Sequence, residues 1–245
     1  MELRERVFNP ALLRLGSLAA IGGVVAALVS TTIDPGMPEG PEEAIRKASE
    51  SSLLTFSRLL DMVAFLLLLV AVAVVTQTFS REPARGWARA GLALFVVSAG
   101  AGAIATMVVG ALSDVADAWA EAPTGLKAGY VAAFDALDNA SGAVFAVSWA
   151  ALGLFGLLYA AAILRDGFFP RWLGWVSAAS AAAVIAAIVV GVGLQSDVAF
   201  VLLLLGLLLS YVVIVTFAVK LWRLTRKDPS SADSPEPASA ASGAG

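Results

Sequence analysis

Six stretches of this chain of 245 residues are apolar for about the length of a bilayer, and the basic residues gather between them on alternate sides. A helix needs about 20 apolar residues to cross a hydrocarbon core of about 30 Å. Only helices and closed barrels can satisfy their own backbone there. The stretches are Leu15–Ile33, Leu59–Phe79, Ala90–Leu112, Gly142–Leu164, Leu173–Leu194 and Val198–Trp222. They predict an all-α, polytopic membrane protein of six transmembrane helices. The composition agrees: 59% of residues are hydrophobic, against roughly 45–50% in soluble domains. Six spans and short links occupy residues 1–224, leaving no length for a second soluble domain. Residues 225–245, rich in Ser, Ala, Pro and Gly, are expected to form a disordered cytoplasmic tail.

Charge gives the threading. Arg4, Arg6, Arg14, Arg81, Arg85, Arg89, Arg165, Arg171, Lys220, Arg223, Arg226 and Lys227 fall on one side, and Arg46, Lys47, Arg58 and Lys127 on the other. Basic residues in short loops are retained in the cytoplasm, so both termini are expected inside. Asp34, Glu39, Glu42, Glu43, Glu50, Asp114, Asp117, Glu121 and Asp197 lean to the outer side. Trp87, Phe168, Phe169, Trp172, Trp175 and Trp222 gather at the expected inner interface, and Trp119 and Tyr130 at the outer one. The first 30 residues begin basic and turn apolar, as a signal peptide does. Their apolar run exceeds the usual 7–15 residues or so and no clean small-x-small site follows, so they are read as a span rather than a cleaved leader.

With no cysteine and no histidine in the chain, thiolate and imidazole metal sites, iron–sulfur clusters, histidine-ligated haem and Ser-His catalysis are excluded. No metal site and no cofactor is expected. Walker A, Gly-x-Gly-Asp and Gly-x-Ser-x-Gly sequences are also missing.

Pro41 followed by Glu42 and Glu43 marks a helix start, from which a polar helix is expected to run through Phe56 into the second span. Between Pro123 and Pro170 no proline intervenes. A helix over residues 125–164 would extend about 60 Å, so it must project outside the membrane or bend near Asn139–Gly142. Phe56-x-x-Leu59-x-Asp61 echoes Phe134-x-x-Leu137-x-Asn139, and Arg85-Gly-Trp87 echoes Arg171-Trp172. Chance among Ala/Leu/Gly-rich spans is the preferred explanation, with a duplicated hairpin as the alternative.

Small residues let helices approach in lipid, where no hydrophobic drive pulls them together. Ser98, Gly102, Thr106 and Gly110 stand four apart on span three, and Ala179, Ala183, Ala187 and Gly191 on span five. Both stripes are expected to pack against other helices, making these spans central. Phe65–Val75 and Val201–Leu209, nearly pure Leu, Val, Ala and Phe, are expected to face lipid.

An ionisable group inside a span is a functional candidate, because insertion costs about 2.5–3.5 kcal/mol at a helix centre. The candidates are Arg58 and Asp61 on span two, and Asp135, Asp138 and Asn139 before span four. If those helices adjoin, the five form an acidic outer vestibule able to hold a cation, relay protons or bind a cationic substrate. The alternative is a helix end wetted by headgroup water, with Arg58 and Asp61 paired three residues apart. Gln77, Ser148, Tyr159 and Gln195 are weaker candidates, expected to bond backbone or a neighbouring helix.

Phe169-Pro170-Arg171-Trp172-Leu173-Gly174-Trp175 resembles the Pro-Arg-Trp-Leu element opening the fifth helix in a bacterial family of six-helix integral membrane proteins, domain-of-unknown-function family 4386. The layout is similar over about residues 10–224: an outer loop after span one, a tight inner loop after span two, and Tyr159 near the end of span four. The resemblance implies fold and topology in a bacterial cytoplasmic membrane, and no activity or site residue. The first functional expectation is a non-enzymatic helical bundle that binds lipid, a membrane partner or copies of itself, and no nucleic acid. A transporter or channel subunit with the acidic vestibule as its entrance is the alternative. A carboxylate-based intramembrane enzyme ranks last.

Overall fold

The computed structural model describes residues 9–34, 36, 40–194 and 197–225. Arg4, Arg6, Glu39, Gln195, Arg226, Lys227 and the expected tail lie outside the described residues. Within them every regular element is a helix: α1 (Pro10–Ile33), α2 (Pro41–Glu50), α3 (Ser52–Thr78), α4 (Ala84–Glu121), α5 (Thr124–Asp166), α6 (Arg171–Leu194) and α7 (Asp197–Leu224). All but α2 are long and apolar enough to cross a membrane. This is a multi-pass helical membrane protein.

Helix ends follow local chemistry. α1 begins at Pro10, five residues before the apolar run, because the Asn9 side chain accepts the Ala11 N–H at 3.0 Å and proline is preset for the first turn. α2 starts at Pro41 as expected, but does not run into α3. Ser51 is extended (φ −118°, ψ 103°) just after Ser49, whose hydroxyl turns back to the Arg46 carbonyl at 2.8 Å. The break lets α2 fold over and bury Ala44, Ile45 and Ala48. α5 runs unbroken for 43 residues, about 65 Å, with no interruption near Asn139–Gly142. α4 likewise absorbs the acidic segment after Leu112 to reach 38 residues. Their surplus length forms a hairpin beyond the bilayer thickness. There Ile45, Leu54, Leu112, Ala116 and Phe134 make a separate small core beneath α2.

The six long helices form a closed ring. Each packs on its neighbours in the order α1, α3, α4, α5, α6, α7, and α7 returns to α1. Five of the six seams carry the same bond, a buried or half-buried serine hydroxyl donating to a backbone carbonyl of the next helix. Ser30 donates to Ser57 (2.8 Å) between α1 and α3, and Ser148 to Ser98 (2.8 Å) between α4 and α5. Ser177 donates to Gly156 (3.0 Å) between α5 and α6, Ser180 to Gly206 (2.8 Å) between α6 and α7, and Ser17 to Ala218 (2.8 Å) between α7 and α1. The sixth seam, α3 with α4, closes where the Phe65 ring lies against Gly102. A Cβ there would stand 2.6 Å from the ring.

The small-residue stripes are only partly interfacial. Ser98, Gly102 and Thr106 are buried and Gly110 is half-buried, while on α6 Ala183 and Ala187 are buried, Gly191 is half-buried and Ala179 is exposed. The buried face of α6 runs instead through Leu173, Ser177, Ser180 and Val184. The expectation for α3 is overturned. Leu68, Ala71, Val72, Val74 and Val75 are buried because α3 is wedged between α1 and α4. Leu and Val serve a lipid face and a helix interface equally, so composition could not separate the two. α7 is indeed the most lipid-exposed, with 11% of its span buried against 39–44% elsewhere. Phe169 is no interface anchor but a core residue at 2% exposure, whereas Trp172 and Trp175 are exposed. Phe56 is exposed and Phe134 fully buried, so the echoed segments do not occupy like environments.

Replacing Ser180 by alanine is expected to cost about 0.6 kcal/mol and no more than about 1.7. Gly206→Leu costs more, because its Cβ alone would meet Val184 at 2.7 Å and the Ser180 carbonyl at 3.1 Å. Thermal unfolding in detergent orders the two.

Candidate functional site: a cavity inside the ring

The ring is hollow. A cavity of about 580 Å³ is lined by residues of all six long helices, within the roughly 300–1,000 Å³ typical of small-molecule sites. Along α3 it reaches from Arg58 to Val72, a rise of about 21 Å. Its wall is mostly apolar, with Phe145, Trp149, Leu152, Phe155 and Tyr159 spaced down one face of α5, and Leu207, Tyr211, Ile214 and Phe217 down one face of α7.

One end is charged. The Arg58 guanidinium donates from Nη2 to Asp34 Oδ2 at 2.8 Å and from Nη1 to Asp61 Oδ2 at 3.2 Å, and all three side chains are about four-fifths buried. Asp34 follows the last turn of α1, its N–H donating to the Ser30 carbonyl at 2.9 Å. A carboxylate at a helix C-terminus is unfavourable unless compensated, and Arg58 compensates it. Two carboxylates share one guanidinium at the mouth, so acidic groups outnumber basic ones there.

The other end is shut by rings. Tyr159 is fully buried, donates its hydroxyl to the Val72 carbonyl at 3.2 Å and is hydrogen-bonded to the Thr76 hydroxyl. Phe79 packs edge-on to Tyr159 with centroids 5.7 Å apart, Phe155 lies at 4.5 Å, and Phe169 meets Phe217 at 4.7 Å. Such ring pairs contribute about 0.5–1.5 kcal/mol beyond their buried area. Below them the buried Asp166 carboxylate accepts the Ser80 and Arg81 N–H groups, both at 3.2 Å, and Arg81 donates back to the Asp166 carbonyl at 3.2 Å. This clasp joins the α3–α4 and α5–α6 turns.

The expected vestibule therefore divides. Arg58 and Asp61 line the cavity mouth. Asp135, Asp138 and Asn139 are exposed on the projecting part of α5, with the Asn139 amide donating back to the Asp135 carbonyl at 2.9 Å. α4 separates the α3 and α5 backbones among the described helices, and the two helices touch through side chains such as Tyr159 on Val72. Asp138 feels both the Asp135 and the Arg58 charge, so it shares the field of the mouth, while the ion pairs of Arg58 go to Asp34 and Asp61. Ser148 and Tyr159 bond neighbouring helices, as noted above, and Gln77 is exposed. Sequence reasoning missed Asp34, Asp166 and the aromatic wall. Asp166 carried a signal, since a carboxylate ending a helix works against the dipole. So did the rings of α5, repeated on one face of an otherwise Ala/Gly-rich helix.

Arg58→Met strands two partly buried carboxylates and is expected to destabilise by the lower end of the roughly 3–5 kcal/mol seen when one partner of a buried ion pair is removed. The exposed pair Asp135→Asn/Asp138→Asn changes stability by no more than about 0.5 kcal/mol per site. Thermal unfolding of the purified variants checks both.

No curated protein and no solved structure matches the chain. A family model, described as a domain of unknown function (DUF4386), matches residues 15–226, nearly the whole of the ring, and the chain belongs to that family.

Proposed function

We propose that the protein is a non-enzymatic membrane binding protein for a single-chain amphiphile. The apolar chain lies in the ring and a positively charged head sits at Arg58, Asp34 and Asp61. The observation that carries this reading is the cavity itself, long and narrow, apolar along its wall and acidic at one end. A depth of about 21 Å suits an alkyl chain of moderate length better than a compact polar solute. A cationic head meets the excess carboxylate at the mouth in a partly desolvated site, where charge pairing is stronger than in water. The ring plug at the far end favours binding over a continuous pore.

The inner, basic end is assigned to the cytoplasm because Arg14, Arg81, Arg85, Arg89, Arg165, Arg171, Lys220 and Arg223 all lie there in short loops or helix ends. The absence of cysteine makes this simple to check. A thiol introduced at Ala128 should react with an impermeant maleimide in intact cells, and one at Glu82 only after permeabilisation. The reverse pattern inverts the topology.

Trp149 reports occupancy. An alkyltrimethylammonium brominated along a chain of about a dozen carbons should quench it saturably, and Trp149→Phe should abolish that component. Asp61→Asn is expected to weaken binding about tenfold, a loss of about 1.4 kcal/mol. A brominated carboxylate of the same length should bind worse than the ammonium. Quenching that never saturates, or is equal for both head charges, contradicts the reading.

A further inference from the structure

The wall of the cavity is not equally closed all round. Three of its lining residues are exposed, Thr31, Gly36 and Phe200, and Phe200 is 69% exposed. All belong to α1, α7 or the turn after α1, at the charged end. A side chain that lines a cavity and also faces outward marks where that cavity opens.

The packing of α1 against α7 explains the opening. The two helices run antiparallel and are fastened near the plugged end by the Ser17–Ala218 bond and by a cluster of Ala19, Ala20 and Ala218 with Ile214. Counting from that bond, Thr31 lies fourteen residues along α1 and Leu204 fourteen back along α7, so both stand at about the same level, about 21 Å along their helices from the fastening. Around Leu204 the side chains of α7 are exposed. Among the described side chains of α7, every buried one lies at Gly206 or beyond, and Val198, Phe200, Val201, Leu204 and Leu205 are 41–69% exposed. α2 does not roof this side. It packs on α4, α5 and the start of α3, and among the described residues touches neither α1 nor α7.

We infer that the split between the outer halves of α1 and α7 is a lateral portal through which the amphiphile passes between the bilayer and the cavity. The inference rests on the binding reading above and deepens it, because it makes the membrane leaflet the source of the ligand. The chain slides in sideways past Phe200 and Thr31 without leaving an apolar environment. The head moves at interface depth to the acidic mouth, so neither end is desolvated in the wrong medium.

The test uses the full-length protein in vesicles, with the brominated alkyltrimethylammonium delivered from donor vesicles and Trp149 quenching followed in a stopped-flow instrument. Thr31→Cys and Leu204→Cys supply the only two thiols in the chain, to be bridged by a short bis-maleimide. Bridging should slow both uptake and release about tenfold or more relative to the unbridged double variant. Phe200→Ala, which trims an exposed side chain at the opening, should accelerate both. Rates unchanged by the bridge and by Phe200→Ala overturn the portal while the binding reading stands. No Trp149 quenching in the unmodified protein removes the binding reading and the portal with it.

Discussion

The fold depends on hydroxyl groups that reach across from one helix to the backbone of the next. In water a helical bundle is gathered by burial of apolar side chains. In lipid that drive is lost, and association falls to close contact and interhelical hydrogen bonds. Here Ser17, Ser30, Ser148, Ser177 and Ser180 each give a hydroxyl proton to a carbonyl on the adjacent helix. Each bond is worth little, about 0.6 kcal/mol on average. Together they secure helices in sequence around a ring instead of collapsing them onto one another. A ring so fastened has no need to fill its centre, and the cavity follows from that.

The two ends of the cavity are fixed by different physics. At the mouth, Arg58 holds the end of α1 to α3 by ion pairing with Asp34 and Asp61. The imbalance of charge there gives the site polarity. At the base, the contacts are between rings: Tyr159, Phe79, Phe155, Phe169 and Phe217 close the space, and the Asp166 clasp ties the turns beneath them. The site is thereby directional, polar at one end and sealed at the other. The exposed lining residues of α1 and α7 at the charged end are the third element, since a sealed cup of this depth would exchange an amphiphile only through water.

Much of this architecture was legible in the sequence. Spans follow from apolar runs longer than any soluble helix needs, and the class could be read from them. The partners of each helix could not. Val72 on α3 and Val201 on α7 sit in equally apolar sequence, yet one is buried and the other open to lipid, because hydrocarbon and protein interior are alike to a valine side chain. Arg58 and Asp61 were recognisable as a costly pair within a span. That Asp34 completes it depends on how α1 ends beside α3, a tertiary fact. Asp138 looked equivalent to Asp61 by residue type and depth, but it is exposed on α5 and meets Arg58 only through its field, without an ion pair. The serine fasteners were individually ordinary, and only the closed order of the helices shows that nearly every seam has one.

A ring built in this way is proposed to hold a single amphiphile in its interior. Native mass spectrometry of the protein released gently from its own membranes tests this most directly. One retained adduct of single-chain mass is expected, surviving detergent exchange and disappearing when Leu207, half-buried on the cavity wall, is replaced by tryptophan. A protein that flies at its bare mass under conditions that preserve other tight lipid contacts, or that carries a heterogeneous ladder of two-chain lipids unaffected by Leu207→Trp, would contradict this.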